Sequence, residues 1–353
     1  MAKVALITDT HFGVRNDSPA FYEYQKEFYE DIFFPKLAEE KIDHIIHLGD
    51  MFDRRKYTNH IILYNFKRMF FDTLRDMGVT MHLIVGNHDV AYKNTNVVNS
   101  PELFLGEYPN IIPYIQPEVI RIDNTPLALC PWVNSENYKQ FEDFVQNCNA
   151  DVLFGHYEII GFEMHKGAGA CDSGLNGNIF KNFEQVYSGH FHETSIQQNI
   201  MYLGAPTEYT WSDYGCTRGF YLYDTDTKKL EFVENPYHMF HKIYYSDDMD
   251  INSFDYGALH GKVVHVIVPE KENQLQYDTF IDRLNAVDIY QLDVIDNSQY
   301  HFNEEGADED SIKSENTIKI VDSYIDNSEL SIDPDKLKTM FKELHAEAVA
   351  LED

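Results

Sequence analysis

Five short polar clusters, each directly following an apolar run, constrain how this chain can fold. They are Asp9-Thr10-His11, Gly49-Asp50 with Asp53, Gly86-Asn87-His88-Asp89, Gly155-His156 and Gly189-His190-Phe191-His192. The apolar runs cover residues 4–7, 45–48, 83–85, 152–154 and 186–187. Such runs, without polar alternation, read as strands buried on both faces. Helical stretches are expected at 20–40 and 59–77, between the first and third strands. Strand–helix–strand alternation predicts a layered α/β architecture, which gathers functional groups at the carboxyl ends of its strands. All five clusters sit at such ends, so residues far apart in sequence can converge.

The donors in the clusters are carboxylates, imidazoles and one amide, a mix that suits two neighbouring divalent cations. Asp9 and His11 are two apart and point the same way in extended chain. Asp50 follows a glycine that permits close backbone approach, and its carboxylate can bridge two cations. Gly86-Asn87 could be a tight turn alone, but a turn does not require His88 and Asp89. A lone histidine at a strand end is usually structural. His156, His190 and His192 recur in matching Gly-His contexts downstream of three acidic clusters, which favours ligation.

The 28 Lys plus Arg face 59 Asp plus Glu, giving a formal net charge of −31. A stand-alone nucleic-acid binder is usually basic. Positive side chains nevertheless gather near the clusters at Arg15, Arg54, Arg55, Lys56, Lys93 and Lys166. They are the candidate DNA contacts, and a basic partner would be expected to help hold such a substrate. Four cysteines lie scattered without CxxC spacing, and no apolar run is long enough to span a bilayer. With a strand almost at the first residue, a reduced, cytoplasmic protein without signal peptide is expected.

Four segments are expected. Residues 1–236 hold the clusters and end in an antiparallel pair near 220–223 and 230–233. Residues 237–302 form a small α+β cap, with a strand at 263–268 and a helix at 277–285. An acidic linker occupies 303–314. The tail, 315–353, carries an Asp333-Pro334 helix start and an apolar stripe of Leu337, Phe341, Leu344, Ala348 and Leu351, suited to docking on a partner's helices. The helix at 59–77 carries more apolar surface than one buried face needs, which suggests a dimer interface. The glycine-rich stretch 167–177 lacks Gly-Lys-Ser/Thr and is no ATP-binding loop. None of the 24 Tyr and 24 Phe stands out for base stacking.

Together the five motifs resemble the signature of the calcineurin-like metallophosphoesterases. Within them the chain is most similar to the nuclease subunit of SbcCD-type recombination complexes, especially the T-even phage version that partners an SMC-like ATPase. The Gly-His-Phe-His step and Tyr202-Leu203-Gly204-Ala205-Pro206 carry the finer likeness. The resemblance implies a β-sandwich flanked by helices, with a small cap and partner-binding C-terminal helices. It implies one metal on Asp9, His11, Asp50 and His192, and a second on Asp50, Asn87, His156 and His190. Manganese is the implied ion, with magnesium the alternative. His88 would contact the phosphate and assist the leaving oxygen, while Asp53 and Asp89 would orient their neighbours. The implied chemistry is two-metal hydroxide attack on a phosphodiester. The implied protein is a homodimeric DNA nuclease, exonucleolytic on duplex ends and endonucleolytic on single strands. It would serve recombination, repair and phage replication, in the host cytoplasm if phage-encoded.

The main rival is a phosphoprotein or small-phosphoester phosphatase, favoured by the acidic charge and by Gly49-Asp50-Met51-Phe52-Asp53-Arg54. Those enzymes carry a glutamate where Asp89 stands here, and have no need of a cap and tethered helices. A purple acid phosphatase is disfavoured because Asp53 stands where that branch has a tyrosine ligand. A non-catalytic scaffold would be expected to have lost ligands.

Overall fold

The computed structural model describes residues 3–164 and 169–296, together with Ile325 and Lys338. Lys166, the linker and nearly all of the tail lie outside the described residues. Two six-stranded sheets dominate the unit Met1–Asn297. The first runs, edge to edge, Leu230–Glu234, Gly219–Asp224, Lys3–Ile7, His44–His47, Thr80–Ile84 and Ile111–Tyr114. Its last four strands are parallel, and Gly219–Asp224 pairs antiparallel with both Lys3–Ile7 and Leu230–Glu234. The second runs Ser195–Gln197, Ile200–Tyr202, Gln185–Gly189, Val152–His156, Thr125–Cys130 and Glu118–Ile122, with its four central strands parallel.

Alternation along each strand separates the layers. Val4, Leu6, Ile46 and Ile84 meet Leu127, Leu129, Val152 and Phe154 between the sheets. Ala5, Ile7, Ile45 and Leu83 point the other way, onto a helical layer rich in phenylalanine. Ala128, Leu153 and Val186 face outward from the second sheet and pack with Phe141 and Val145 of the helix Tyr138–Asn147. Both faces of the central strands are therefore buried, which is why their sequences show continuous apolar runs. The architecture is a mixed α/β sandwich flanked by helices.

The helical layer comes from the two predicted stretches. Pro19–Phe28, Tyr29–Phe33 and Phe34–Glu40 run on continuously, with a π-helical turn in the middle. Pro35 follows that turn, and Phe34 N–H bonds back to the Tyr29 carbonyl. A proline inside a helix removes one hydrogen bond, and the widened turn accommodates the loss. In the second run, Asn59 caps His60–Phe66 through its side chain, and Lys67–Phe71 winds as another π-turn. The widened turns bring Tyr29 and Phe33 against Phe70, with ring centroids 5.0 and 6.0 Å apart.

Three parallel strands, Phe240–Tyr244, Val263–Val268 and Gln291–Asp296, form a smaller sheet. The helix Gln274–Asn285 packs Phe280 and Leu284 on one face of it. It starts three residues before the expected position because the Asn273 side chain caps it. Phe240 and Val263 share a core with Phe21, Tyr24 and Tyr209. The buried Glu208 carboxylate ties this region to the sandwich. It accepts from Met239 N–H at 2.7 Å, Phe240 N–H at 3.1 Å and His238 Nδ1 at 3.0 Å.

Candidate metal centre

The strand-end loops are held in backbone conformations that side-chain-bearing residues rarely adopt. Asp9, His11, Asp50 and His190 have φ of 49°, 42°, 55° and 95°. Each is a cost that persists only where the surroundings over-determine it. Here two loops bond across: Asp9 N–H to the Gly49 carbonyl at 2.9 Å, and His11 N–H to the Asp50 carbonyl at 3.1 Å. Gly49 and Gly86 permit the close approach. A Cβ on Gly49 would lie 2.5 Å from His156 Nδ1, and one on Gly86 would lie 2.2 Å from Asp50 Oδ1.

The side chains so aimed converge as two groups. Asp9, His11 and His192 form one, and Asp50, His156 and His190 the other, each with ligand atoms within 4.8 Å of one another. Asp50 stands between them, its Oδ2 3.9 Å from His11 Nε2 and 3.3 Å from His156 Nε2. Asn87 Oδ1 lies 2.8 Å from His156 Nε2 and 2.9 Å from His190 Nδ1. All seven predicted ligands thus meet in one place.

The donor chemistry fits cations. His156 Nδ1 is 2.8 Å from the Leu48 carbonyl and must carry a proton toward it. In the neutral ring, Nε2 then turns a lone pair on the Asn87 amide oxygen and the Asp50 carboxylate, three acceptors facing one another. His11 Nε2 and His192 Nε2, 3.1 Å apart, form a similar pair. Such a cluster needs either protons or metal ions. The protein alone answers with protons. Burial opposes charge on His156, but the Asp50 carboxylate lifts it to about 9. His11 also reaches about 9, because Asp53, Asp50 and Asp9 outweigh its burial. His192 goes the other way, held well below its ordinary value by burial and by the neighbouring His11 and Arg218.

His88 stands at the edge of the centre. Its N–H donates to Asp50 Oδ1 at 2.7 Å, and its Nδ1 is 2.6 Å from the Asp53 backbone carbonyl. That contact fixes the proton on Nδ1 and leaves Nε2 free. The Asp53 carboxylate turns elsewhere, 3.5 Å from His11 Nδ1. Asp89 is fully buried and accepts from four backbone N–H groups, those of Asp50, Met51, Phe52 and Gly86, at 2.9–3.2 Å. Burial and the Asp50 charge push it up to about 7 against those donors. It therefore bolts the second loop to the third. Asp89→Ala is expected to cost about 4 kcal/mol, since several buried N–H groups lose their acceptor, and a denaturant titration of the cation-free protein checks it.

The cleft over this centre has a volume of about 450 Å³ and is lined by His11, Arg15, Asp50, His88, His190 and His192 among others. Among the described basic candidates, Arg15 lines it, its Nε donating to the Tyr209 carbonyl at 2.8 Å. Arg54 is engaged with Asn16 and Asp17. Arg55 and Lys56 line a separate cavity with Arg54, Tyr57 and Tyr92, and Lys93 lies in the hairpin turn after Val90–Tyr92.

Several supporting residues carry no sequence signal of their own. Tyr209 donates its hydroxyl to the Asp9 carbonyl at 2.6 Å and packs edge-on against His11 and His192. Thr8 Oγ1 donates to Asp9 Oδ2 at 2.7 Å. Arg218, paired with Asp213, donates to the His192 carbonyl. Glu158 Oε2 stands 3.8 Å from His190 Nε2. Only the fold distinguishes these from ordinary core and surface side chains.

Paired donor sets at the strand ends of an α/β sandwich define a binuclear phosphoesterase centre, and the chain belongs to the family described as calcineurin-like phosphoesterase, whose profile matches residues 2–194. It is a hydrolase of the phosphodiesterase and nuclease kind. It is 31% identical to exonuclease subunit 1 of Enterobacteria phage T4 over 326 residues, covering 92% of both chains. It is 25% identical to SbcD, the smaller-named half of the nuclease SbcCD of Escherichia coli K12, over 65% of this chain and 66% of that one. DNA double-strand break repair protein Mre11 of Saccharolobus solfataricus is 29% identical over 127 residues, 34% of this chain and 31% of its own. Among the described residues, no helix is long and apolar enough to cross a membrane.

Proposed function

We propose that this chain is a DNA nuclease that degrades duplex ends exonucleolytically and opens single strands endonucleolytically. In this reading it works as a homodimer with an SMC-like ATPase, in the cytoplasm, during recombination, repair and phage replication. The observation that carries it is the placement of Asp50 between two donor groups at the floor of an open cleft. Asp9, His11, Asp50 and His192 would hold one divalent cation, and Asp50, Asn87, His156 and His190 the other, with Mn²⁺ suiting the mixed nitrogen and oxygen donors. When bound, such a pair stabilises charge on phosphoryl oxygens and acidifies water.

The residues supply the rest. Arg15 presents a cation at the rim, where it can hold a neighbouring phosphate of the strand. His88 turns Nε2 toward the cleft and can donate to, or protonate, the departing sugar oxygen. Dimerisation has support in the helix His60–Phe66 and the loop before it. Tyr57, Ile61 and Tyr64 are 74%, 70% and 61% exposed, an apolar surface without a described cover. Strong negative charge makes a partner that contributes basic surface a reasonable requirement for duplex engagement.

The test is hydrolysis by the full chain with Mn²⁺, of end-labelled duplex, single-stranded DNA and a phosphopeptide, with and without the ATPase. Expected are shortened duplex ends and nicked single strands, with the peptide untouched. Release of phosphate from the peptide alone would establish the phosphatase reading instead.

A further inference from the structure

Beside the metal centre opens a second cavity of about 320 Å³, lined by Trp132, Val133, Tyr138, His156, Glu158 and Leu175 among others. It shares His156 with the second donor group, and Glu158 on its wall approaches His190. Anything filling it therefore lies next to a phosphate seated over the centre. Trp132 joins the two spaces: it lines the cavity and packs against His156 and His190, with ring centroids 6.0 and 5.3 Å away. Tyr138, at the start of the helix Tyr138–Asn147, is 45% exposed on the cavity's lining.

The walls are built rather than incidental. Leu175 N–H bonds to the Glu158 carbonyl at 2.8 Å, and Ile160 N–H returns to the Leu175 carbonyl at 3.0 Å. Gly174, with φ of 102°, lets this strap close onto Glu158, since a Cβ there would sit 2.4 Å from the Glu158 carbonyl oxygen. Trp132 is fixed through its backbone N–H to the Val85 carbonyl at 2.8 Å. The polar group of Asn134, which also lines the cavity, is spent: its amide donates to Asn96 Oδ1 at 2.9 Å and accepts from Glu136 and Asn137 N–H.

An occupant must be flat, apolar on its faces, about the size of one ring system with its sugar, and joined to a phosphodiester. Those are the properties of a nucleobase. We infer that the cavity receives one base next to the scissile phosphate, turned out of its stack and held by the ring faces of Trp132 and Tyr138. The inference rests on the DNA nuclease reading and gives it a substrate rule. With aromatic faces and a spent amide, the cavity reads the presence of a base rather than its identity. A base must leave its pair to enter, so frayed ends and single strands are favoured over duplex interiors.

Single-stranded oligonucleotides carrying one abasic residue at successive positions, cut by the full chain with Mn²⁺, test this. In the native protein, an abasic residue at one position beside the cut is expected to slow scission about ten-fold, the scale of one lost stacking contact. Exchanging the four bases there should change the rate far less. Tyr138→Ala should slow the intact strand comparably and show no further abasic penalty, as two changes to one contact are not additive. Tyr138→Phe should restore the native pattern, and Mn²⁺ calorimetry on both variants reports an intact centre. A flat abasic profile in the native protein, or a full penalty kept in Tyr138→Ala, overturns the inference. If the native chain hydrolyses bis(p-nitrophenyl) phosphate but no DNA, the nuclease reading itself falls and takes this one with it.

Discussion

Asp50→Ala is expected to abolish binding of both cations and to lower phosphodiester hydrolysis by about 10³-fold or more. No other described carboxylate stands in the same position, with Oδ2 between His11 Nε2 and His156 Nε2. Its removal strips both donor groups of their shared negative charge. Asp50 Oδ1 also accepts the His88 N–H, so alanine risks disturbing the third loop. Asp50→Asn is the companion variant, since it keeps an acceptor of the same size and removes the charge. Calorimetry with Mn²⁺ should find neither variant binding two ions, while thermal unfolding of the asparagine variant stays close to the native cation-free protein. Retention of both ions by Asp50→Asn would show that the centre is assembled differently.

The same titration carries a pH signature. In the cation-free protein His11 and His156 are raised to about 9, so both are protonated at pH 7. A ring nitrogen must surrender its proton to become a ligand, and cation binding at pH 7 should release about two protons. Affinity should climb between pH 7 and 9 and then level off. Heats of binding measured in buffers of different ionisation enthalpy count the protons, and heats independent of the buffer would contradict the assignment. The sign for stability is opposite. A pKa raised above the unfolded value near 6.5 gives stability that is fully present below that value and is lost as pH rises through about 9. The cation-free protein should therefore soften over the range in which it binds metal more tightly.

What the sequence made legible follows from which interactions are local. The central strands announce themselves because burial on both faces removes polar alternation, as in Val4, Ala5, Leu6 and Ile7. The donor residues are legible because each sits at a strand end, where the topology must bring it to one edge. The helix at 60–77 has a local stop and start in Asn59 and Gly78. The π-turns were not legible, since they answer to the packing of Tyr29, Phe33 and Phe70 across two helices. Nor was the work of Asp89, whose partners are backbone N–H groups that every sequence possesses. Asp53 shows the same limit: its position suggested an orienting residue, but only the fold separates its carbonyl on His88 from its carboxylate beside His11. Trp132 and Tyr209 look like any other buried or half-buried aromatic until the loops close around them.

His88→Ala separates binding from turnover. His88 offers the cleft Nε2 alone, because Nδ1 is committed to the Asp53 carbonyl and the backbone N–H to Asp50. Burial and the neighbouring His11 lower its pKa, while Asp50 opposes them. A ring so placed contributes little to holding cations and much to the developing charge on a departing oxygen. The expected result is near-native Mn²⁺ binding with kcat reduced about 10²- to 10⁴-fold, the range for a lost general acid or hydrogen-bond donor. The leaving group provides the discriminating measurement. An ester of p-nitrophenol departs without help from a proton donor, so His88→Ala should cost far less on bis(p-nitrophenyl) phosphate than on DNA, whose alkoxide leaving group needs a proton. Equal losses on the two substrates would move His88 from assisting departure to positioning the phosphate. Loss of metal in parallel with activity would instead make it part of the ligand shell.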